Sequence, residues 1–177
     1  DHGINMEKGF TLVEKEIEGQ ELSMSDALKT LGRTLVMEIG GSMGPLYGSM
    51  FRKMARVSRD DETVTVNTLK AMVEAAYESV RELGDAKPGD KTIVDTLDPA
   101  VNAVNEAAGR GASLEEAIDG MIAAAETGWK STEDMVAKIG RSARLGERSQ
   151  GTLDAGATSC YLLLKSMGET MKELAGS

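Results

Sequence analysis

The amino-acid sequence predicts an all-α fold, and three observations support this prediction. Only 3% of the 177 residues are aromatic whereas eleven are methionine, so the core must be aliphatic, which favours helices over sheets. Apolar residues recur every three or four positions along most of the chain, which is the spacing of one face of an α-helix. Glycine-rich breaks separate these stretches.

Composition restricts the classes of function. The net charge of -9 argues against nucleic acid as a partner, because binding phosphates along a duplex requires an excess of Lys and Arg. No apolar run approaches the roughly 18 residues of a membrane span. A single cysteine, Cys160, cannot form an internal disulfide, and no secretory signal begins the chain, so we expect a cytoplasmic protein.

The length of 177 residues predicts one domain over residues 1–177. The chain begins with Asp1 rather than Met, so we expect that the natural N-terminus is missing.

The first three predicted helices each have a local signal. The first covers residues 5–18. The second follows the capping residues Ser23 and Ser25, and Gly40-Gly41 ends it, because glycine is a poor helix former. The third begins at Pro45, since a proline in the first turn lacks only an N–H that would have no partner there.

Four further helices are predicted at residues 65–83, 92–108, 114–138 and 154–174. The first of these has the most regular apolar stripe, and Gly84 ends it. Ser113 and Glu116 form a capping box that opens the third.

Four polar, glycine-containing segments lie beside the ends of these helices. They are residues 1–6, 40–48, 84–92 and 140–156. A helix bundle needs only short connections, so these segments are the candidates for function.

The second segment, Gly-Gly-Ser-Met-Gly-Pro at residues 40–45, suits a phosphate. It offers exposed backbone N–H groups, the Ser42 hydroxyl and the positive end of a helix dipole. A tight turn between helices would explain the same glycines, and the residues alone leave both interpretations open. The segment lacks the Gly-Lys-Ser/Thr ending of a Walker loop.

Two other segments contain charged candidates. Asp1 could hold Mg²⁺ while His2 and Asn5 donate to phosphate oxygens, although a frayed terminus with Asn5 as a cap is the alternative. Arginines at positions 141, 144 and 148 concentrate positive charge in an acidic chain. We expect one of them in a site and the others in structural roles, such as pairing with Glu147.

Taken in order, four motifs resemble the nucleotide-binding L subunits of bacterial dihydroxyacetone kinases, over the whole chain. They are Asp-His-Gly-Ile-Asn-Met, Gly-Gly-Ser-Met-Gly-Pro-Leu-Tyr-Gly, Lys-Pro-Gly-Asp-Lys-Thr-Ile-Val-Asp and Leu-Gly-Glu-Arg-Ser-Gln-Gly-Thr-Leu-Asp-Ala-Gly-Ala-Thr-Ser. The resemblance implies an antiparallel up-and-down barrel of eight helices, of which this chain lacks the first. It also implies a nucleotide held by the loops at one end.

The resemblance also implies roles for individual residues. Those facing the phosphates would be His2, Gly3, Ile4, Asn5, Ser42 and Met43. Gly84 and Ile93 would line the adenine, and Arg141 with the turn Asp154-Ala155-Gly156 would complete the nucleotide site. Arg141 and His2 would act in catalysis. Asp1 would be one of three aspartates that hold Mg²⁺, the other two lying upstream of this chain.

Two motifs depart from the family pattern. The turn Asp154-Ala155-Gly156 replaces the usual Asp-Pro-Gly, which relaxes one φ angle but keeps the capping Asp and the glycine. Gly-Gly-Ser-Met-Gly replaces the commoner Gly-Gly-Ala-Ser-Gly. Either the Ser42 hydroxyl or the Met43 N–H would therefore meet the phosphate.

The implied function is binding of ADP or ATP with Mg²⁺ and transfer of a phosphoryl group to dihydroxyacetone on a separate K subunit. In the phosphotransferase-dependent variant, ADP stays bound and a phosphocarrier M subunit recharges it. We expect this variant because the chain carries only the L-type segment. The alternative is a non-catalytic regulatory module of the same fold that binds nucleotide or lipid, which the missing upstream carboxylates would support.

Overall fold

The computed structural model describes residues 1–176, and these residues form helices joined by loops. The seven α-helices of this part of the chain are α1 (His2–Ile17), α2 (Met24–Glu38), α3 (Met43–Val57), α4 (Val66–Leu83), α5 (Val94–Gly109), α6 (Leu114–Ser131) and α7 (Ala155–Ala175). Two 3-10 helices follow α6, at Thr132–Asp134 and Ser142–Ser149. None of residues 1–176 lies in a β-strand. The all-α prediction is confirmed.

The chain forms two compact units. The first contains Asp1–Thr63 and Ala71–Gly84, and the second contains Val64–Lys70 and the residues from Asp85 onward. Helices α1 to α3 therefore belong to the first unit and α5 to α7 to the second. The single domain expected over residues 1–177 stays a prediction.

In the first unit, α2 and α3 are antiparallel. Ser25, near the start of α2, donates a hydrogen bond of 2.7 Å to the carbonyl of Ala55, near the end of α3. At the other end, Gly44 in the first turn of α3 packs against the backbone of Leu35 and Ile39. A Cβ atom at Gly44 would clash with the Ile39 carbonyl oxygen, so this approach requires glycine.

Helix α1 also runs antiparallel to α2. Gly9, in the first half of α1, packs against the side chains of Leu35 and Ile39. Near the end of α1, the Glu16 carboxylate accepts a hydrogen bond of 2.8 Å from the Thr34 hydroxyl. Because α1 and α3 are both antiparallel to α2, they begin at the same end of this unit, where α2 ends.

The second unit has the same arrangement. Gly128, near the end of α6, packs against Asp95 in the first turn of α5. Lys172, near the end of α7, donates a hydrogen bond of 2.5 Å to Asp119 in the first half of α6. Helices α5 and α7 therefore begin at the same end of this unit, and the Thr96 hydroxyl joins them by donating to the Ala157 carbonyl at 3.1 Å.

Large aliphatic side chains and methionines form the interior of both units. The fully buried ones include Leu35 and Met54 in the first unit and Leu97, Ile118 and Met121 in the second, and the aromatic Tyr47 is buried with those of the first unit. Burying each such side chain contributes about 1.5–3 kcal/mol. The aliphatic core expected from the composition is confirmed.

Several helix boundaries differ from the sequence predictions. Helix α1 begins at His2 rather than at residue 5, which places the predicted phosphate-binding residues in its first turn. Helix α3 begins at Met43, so Pro45 is its third residue. Helix α6 ends at Ser131 rather than at residue 138.

The early end of α6 has a tertiary cause. The carbonyl of Met135 accepts a hydrogen bond from the Lys91 ammonium, and the N–H of Lys138 donates to the carbonyl of Asp90. These groups would be occupied within α6 if the helix continued, so the chain leaves the helix to bind the segment before α5.

Within residues 1–176, none of the helices combines the length and hydrophobicity needed to cross a bilayer.

Candidate functional site

The first candidate group lies at the start of α1. Asp1 precedes this helix, but its side chain makes no capping hydrogen bond, and no acidic residue lies in the first turn. His2 and Asn5 are half-buried, whereas Gly3 and Ile4 are exposed. The Asp1 side chain therefore does not cap the N–H groups of this first turn, although the positive end of the helix dipole favours a negative partner there.

The start of α3 has the same character. Ser42 is exposed and directly precedes the helix, its hydroxyl makes no capping hydrogen bond, and the first turn contains no acidic residue. Gly41 has a left-handed backbone with a φ of 77°, and Gly44 packs tightly against α2. The glycines therefore form a tight turn, which was one of the two interpretations of the sequence. Ser42 and Met43 follow this turn, at a helix N-terminus that has no side-chain cap.

Both helix N-termini lie at the same end of the first unit, because α1 and α3 are parallel. Gly84, also in this unit, ends α4 as predicted and is exposed. This end of the unit thus offers two uncapped helix N-termini in a chain whose net charge is -9.

In the second unit, the structure brings Ile93 and the Asp154-Ala155-Gly156 turn together. A Cβ atom at Gly156 would lie 3.7 Å from the backbone nitrogen of Ile93. Ile93 is buried and directly precedes α5, whereas Ala155 is exposed as the first residue of α7. Two predicted groups that lie 61 residues apart in sequence are therefore neighbours at the N-termini of α5 and α7.

Asp154 caps α7, as expected from the sequence. Its carboxylate accepts a hydrogen bond of 2.8 Å from the Ala157 N–H. Its backbone N–H donates to the hydroxyl of the buried Thr132 at 3.0 Å, and its carbonyl accepts from the Thr158 hydroxyl at 2.7 Å. The turn is thus held from both its side chain and its backbone.

Burial raises the pKa of the Asp154 carboxyl above its ordinary value. The N–H groups of Ala157 and Gly156 and the charge of Lys91 act in the opposite direction, and burial prevails.

Arg141 lies in the segment between α6 and α7. It is exposed and directly precedes the 3-10 helix Ser142–Ser149, which also contains the exposed Arg144 and Arg148. Gly146 interrupts this helix with a φ of 54°. The sequence predicted a glycine-rich segment here but not the 3-10 helix.

Three charged residues of the motif Lys-Pro-Gly-Asp-Lys-Thr-Ile-Val-Asp have structural roles that the sequence does not indicate. Asp95 is buried and accepts hydrogen bonds from the N–H groups of Gly89 and Thr92, at 2.5 and 2.7 Å. Asp90 accepts from the Lys87 N–H at 2.8 Å. Lys91 is buried. The motif marked the segment as important, but burial of its charges is not visible in the sequence.

The described residues do not form a complete metal site by themselves. Asp1 is exposed, and residues 1–176 contain no cluster of three or more His, Cys, Asp or Glu side chains that could hold a metal ion. The role of Asp1 as a metal ligand stays a prediction.

The family model described as the DAK2 domain matches residues 1–169. The chain belongs to the DAK2 domain family. One DAK2 relative is the PEP-dependent dihydroxyacetone kinase 1, ADP-binding subunit DhaL, of Listeria innocua serovar 6a, with 37% identity over 96% of this chain and 80% of the relative. Another is the corresponding Escherichia coli K12 subunit, with 34% identity over 98% of this chain and 83% of the relative.

A solved structure shares the fold of this DAK2 chain. The dihydroxyacetone kinase of C. freundii, in its native form, aligns with a TM-score of 0.60 and 20% identity, over 83% of this chain. The match spans 24% of that longer chain. The predicted membership of a dihydroxyacetone kinase family and the predicted helical fold are both confirmed.

Proposed function

We propose that this DAK2 chain is the ADP-binding subunit of a PEP-dependent dihydroxyacetone kinase, and that it passes a phosphoryl group from its nucleotide to dihydroxyacetone on a partner subunit. Identities of 34–37% to subunits that carry this description, over nearly the whole chain, support the proposal.

The contrast between helix N-termini is the structural observation that carries it. Helices α1 and α3 begin without an acidic residue in the first turn and without a side-chain cap. In the second unit, by contrast, the first turn of α5 contains Asp95, and the Thr92 hydroxyl accepts a hydrogen bond from the Val94 N–H. At the start of α7, the Asp154 carboxylate accepts from the Ala157 N–H. Phosphates bind where N–H groups are available, so the diphosphate belongs at α1 and α3.

Phosphoryl transfer requires positioning and charge neutralisation more than a protein nucleophile. His2 and Asn5 would donate to phosphate oxygens, together with the Ser42 hydroxyl or the Met43 N–H. Arg141 would neutralise charge on the transferring group. Gly84 and Ile93 would line the adenine, and the turn Asp154-Ala155-Gly156 would complete the nucleotide site.

The phosphoryl donor follows from the same relatives. Because they are described as PEP-dependent and ADP-binding, we infer that ADP stays bound and is recharged by a phosphocarrier M subunit, rather than exchanging with ATP. Mg²⁺ would neutralise the diphosphate, with Asp1 as one ligand. The roles of His2, Asn5 and Arg141 do not depend on the metal, and the described residues do not form a complete site for it.

Dihydroxyacetone itself must be held elsewhere. His2 is the only histidine of the chain and belongs to the phosphate-binding group. The family resemblance implies that a separate K subunit holds dihydroxyacetone covalently on a histidine, and this chain has no second histidine for that role.

Calorimetry with ADP, AMP and adenosine tests the phosphate assignment. We expect affinity to rise with each phosphate. Ile4 is 69% exposed in the first turn of α1, so Ile4→Glu would place a carboxylate beside the bound phosphates, whereas Ile4→Gln has the same shape without the charge. The Glu variant should bind ADP about tenfold or more weakly than the Gln variant.

Equal affinity of the protein for adenosine and ADP would contradict the proposal. ADP binding without any phosphorylation of dihydroxyacetone in the presence of K and M subunits would instead favour the non-catalytic module.

A further inference from the structure

Lys91 is a buried lysine held by three backbone carbonyls. Its side chain lies in the second unit with 3% of the residue exposed. The ammonium donates hydrogen bonds to the carbonyls of Met135, Ser149 and Thr152, at 3.1, 2.5 and 2.6 Å. Lysine is rarely buried unless its charge is compensated, and three oxygen acceptors match the three donors of an ammonium group.

These carbonyls lie on both sides of the loop that carries Arg141. Met135 precedes the loop, whereas Ser149 and Thr152 follow it. The Ser149 hydroxyl accepts from the Ala137 N–H at 2.9 Å, and the N–H of Gly151 donates to the Glu133 carbonyl at 2.8 Å. Lys91 thus supplies the charged group at the base of a loop whose two ends are hydrogen-bonded together.

The backbone around Lys91 is itself fixed. The Asp95 carboxylate accepts from N–H groups on either side of Lys91, those of Gly89 and Thr92. Lys91 has a φ of 62°, a left-handed conformation that is unfavourable for a side chain of its kind. The fold therefore maintains a strained backbone at the residue whose side chain closes the Arg141 loop.

We propose that Lys91 is a positioning residue, which closes the base of the loop over residues 136–148 and thereby sets the position of Arg141 during phosphoryl transfer. This inference rests on the proposed function in that it uses the assigned role of Arg141. The hydrogen bonds of the Lys91 ammonium are with backbone carbonyls at the two ends of the loop, so the loop connects Lys91 to Arg141.

The first test compares Lys91→Met with Lys87→Met in the protein assembled with its partner subunits. Lys91→Met keeps most of the stem but leaves three carbonyls without their donor, whereas Lys87 is an exposed lysine of the same segment. In Lys91→Met, we expect faster amide hydrogen exchange over residues 136–152 and a kcat lower by about tenfold to a hundredfold. KM for dihydroxyacetone should be unchanged, and Lys87→Met should match the wild type in every readout.

A double-mutant cycle with Arg141→Ala separates positioning from a general structural effect. If Lys91 acts through Arg141, Lys91→Met should cause little further loss of kcat when Arg141 is already Ala. An equal loss in both backgrounds, or a folded Lys91→Met protein with wild-type kcat, would overturn the proposal.

Lys91→Gly gives a second variant in case Lys91→Met does not fold. Glycine relieves the left-handed backbone, and added n-butylammonium can enter the space of the missing side chain. A kcat that rises with butylammonium concentration supports the proposal, and no such rise in a folded variant contradicts it. If Arg141→Ala alone leaves kcat unchanged, the role of Arg141 in the proposed function is wrong. The hydrogen-exchange result still reports whether Lys91 closes the loop.

Discussion

Gly128 packs directly against the carbonyl oxygen of Asp95, where the end of α6 meets the start of α5. A Cβ atom at position 128 would clash with that oxygen and would lie 2.7 Å from Cγ of Pro99. The contact places the end of α6 beside the N-terminus of α5, which Ile93 directly precedes. The geometry of this part of the candidate site therefore depends on a residue that has no side chain.

Gly128→Ala should destabilise the protein by about 1–3 kcal/mol, because helix α6 must move away from α5. Gly120 is a matched control in the same helix, since a Cβ atom there would meet nothing within 4 Å. Gly120→Ala should stabilise by about 0.5–1 kcal/mol through helix propensity. Urea unfolding of both variants measures these changes, and equal effects would contradict the packing argument.

Asp154 should make stability depend on pH. Its folded-state pKa lies above its ordinary value, so protonation favours the fold. The stability that this carboxyl contributes is present below its unfolded pKa and is lost as pH rises through the folded pKa. Asp154→Asn keeps an oxygen for the Ala157 N–H without the charge. Relative to wild type, it should gain stability as pH rises from the unfolded pKa of Asp154 through its higher folded pKa.

Asp154→Ala is the control for the cap itself. It should lose about 0.5–2 kcal/mol of unfolding free energy, because the Ala157 N–H loses its acceptor. Chemical unfolding over the same pH range distinguishes the two variants. An Asp154→Asn protein whose stability stays parallel to the wild type at every pH would contradict the assigned pKa shift.

Arg141→Ala should lower kcat of the assembled kinase by about 10³-fold while ADP affinity changes little, because its charge acts on the transferring phosphoryl group. Arg144→Ala, in the adjoining 3-10 helix, is the control and should retain activity. If Arg141→Ala abolishes ADP binding and leaves turnover at saturation unchanged, Arg141 is a ground-state anchor instead.

The purified chain with a phosphoryl donor should leave free dihydroxyacetone unphosphorylated, and addition of a K subunit should produce dihydroxyacetone phosphate. The physical reason is that bringing the two reactants together supplies much of the rate, and the proposal assigns the ketone to the K subunit. Product formation can be followed with a coupled assay. Comparable rates without the K subunit would show a complete active site in this chain.

Cys160 should be unreactive in the folded protein. It is 1% exposed, and burial raises the pKa of its thiol far above the ordinary value, so almost no thiolate is available. A thiol reagent should label Cys160 only when the protein unfolds. ADP at about 100 times its Kd should slow this labelling about a hundredfold. An exposed cysteine, Glu62→Cys in a Cys160→Ala background, should label rapidly with or without ADP.

Local signals in the sequence determined where α2, α6 and α7 begin. The capping box of Ser113 and Glu116 is present, with both reciprocal hydrogen bonds, and Ser23 and Asp154 cap α2 and α7 as predicted. Such signals are readable because a cap involves residues within three or four positions of each other. The motifs likewise identified the family, since their order and spacing are properties of the chain itself.

Other features depend on contacts between segments that are far apart in sequence, and the tertiary structure alone reveals them. The early end of α6, the burial of Lys91 and the contact between Gly156 and Ile93 each depend on segments that lie 44 to 63 positions apart in sequence. Whether a charged side chain is buried depends on what packs over it, and no local pattern encodes that. The sequence by itself therefore identified the segments of the candidate site, whereas the long-range hydrogen bonds of Lys91 revealed how the Arg141 loop is held in place.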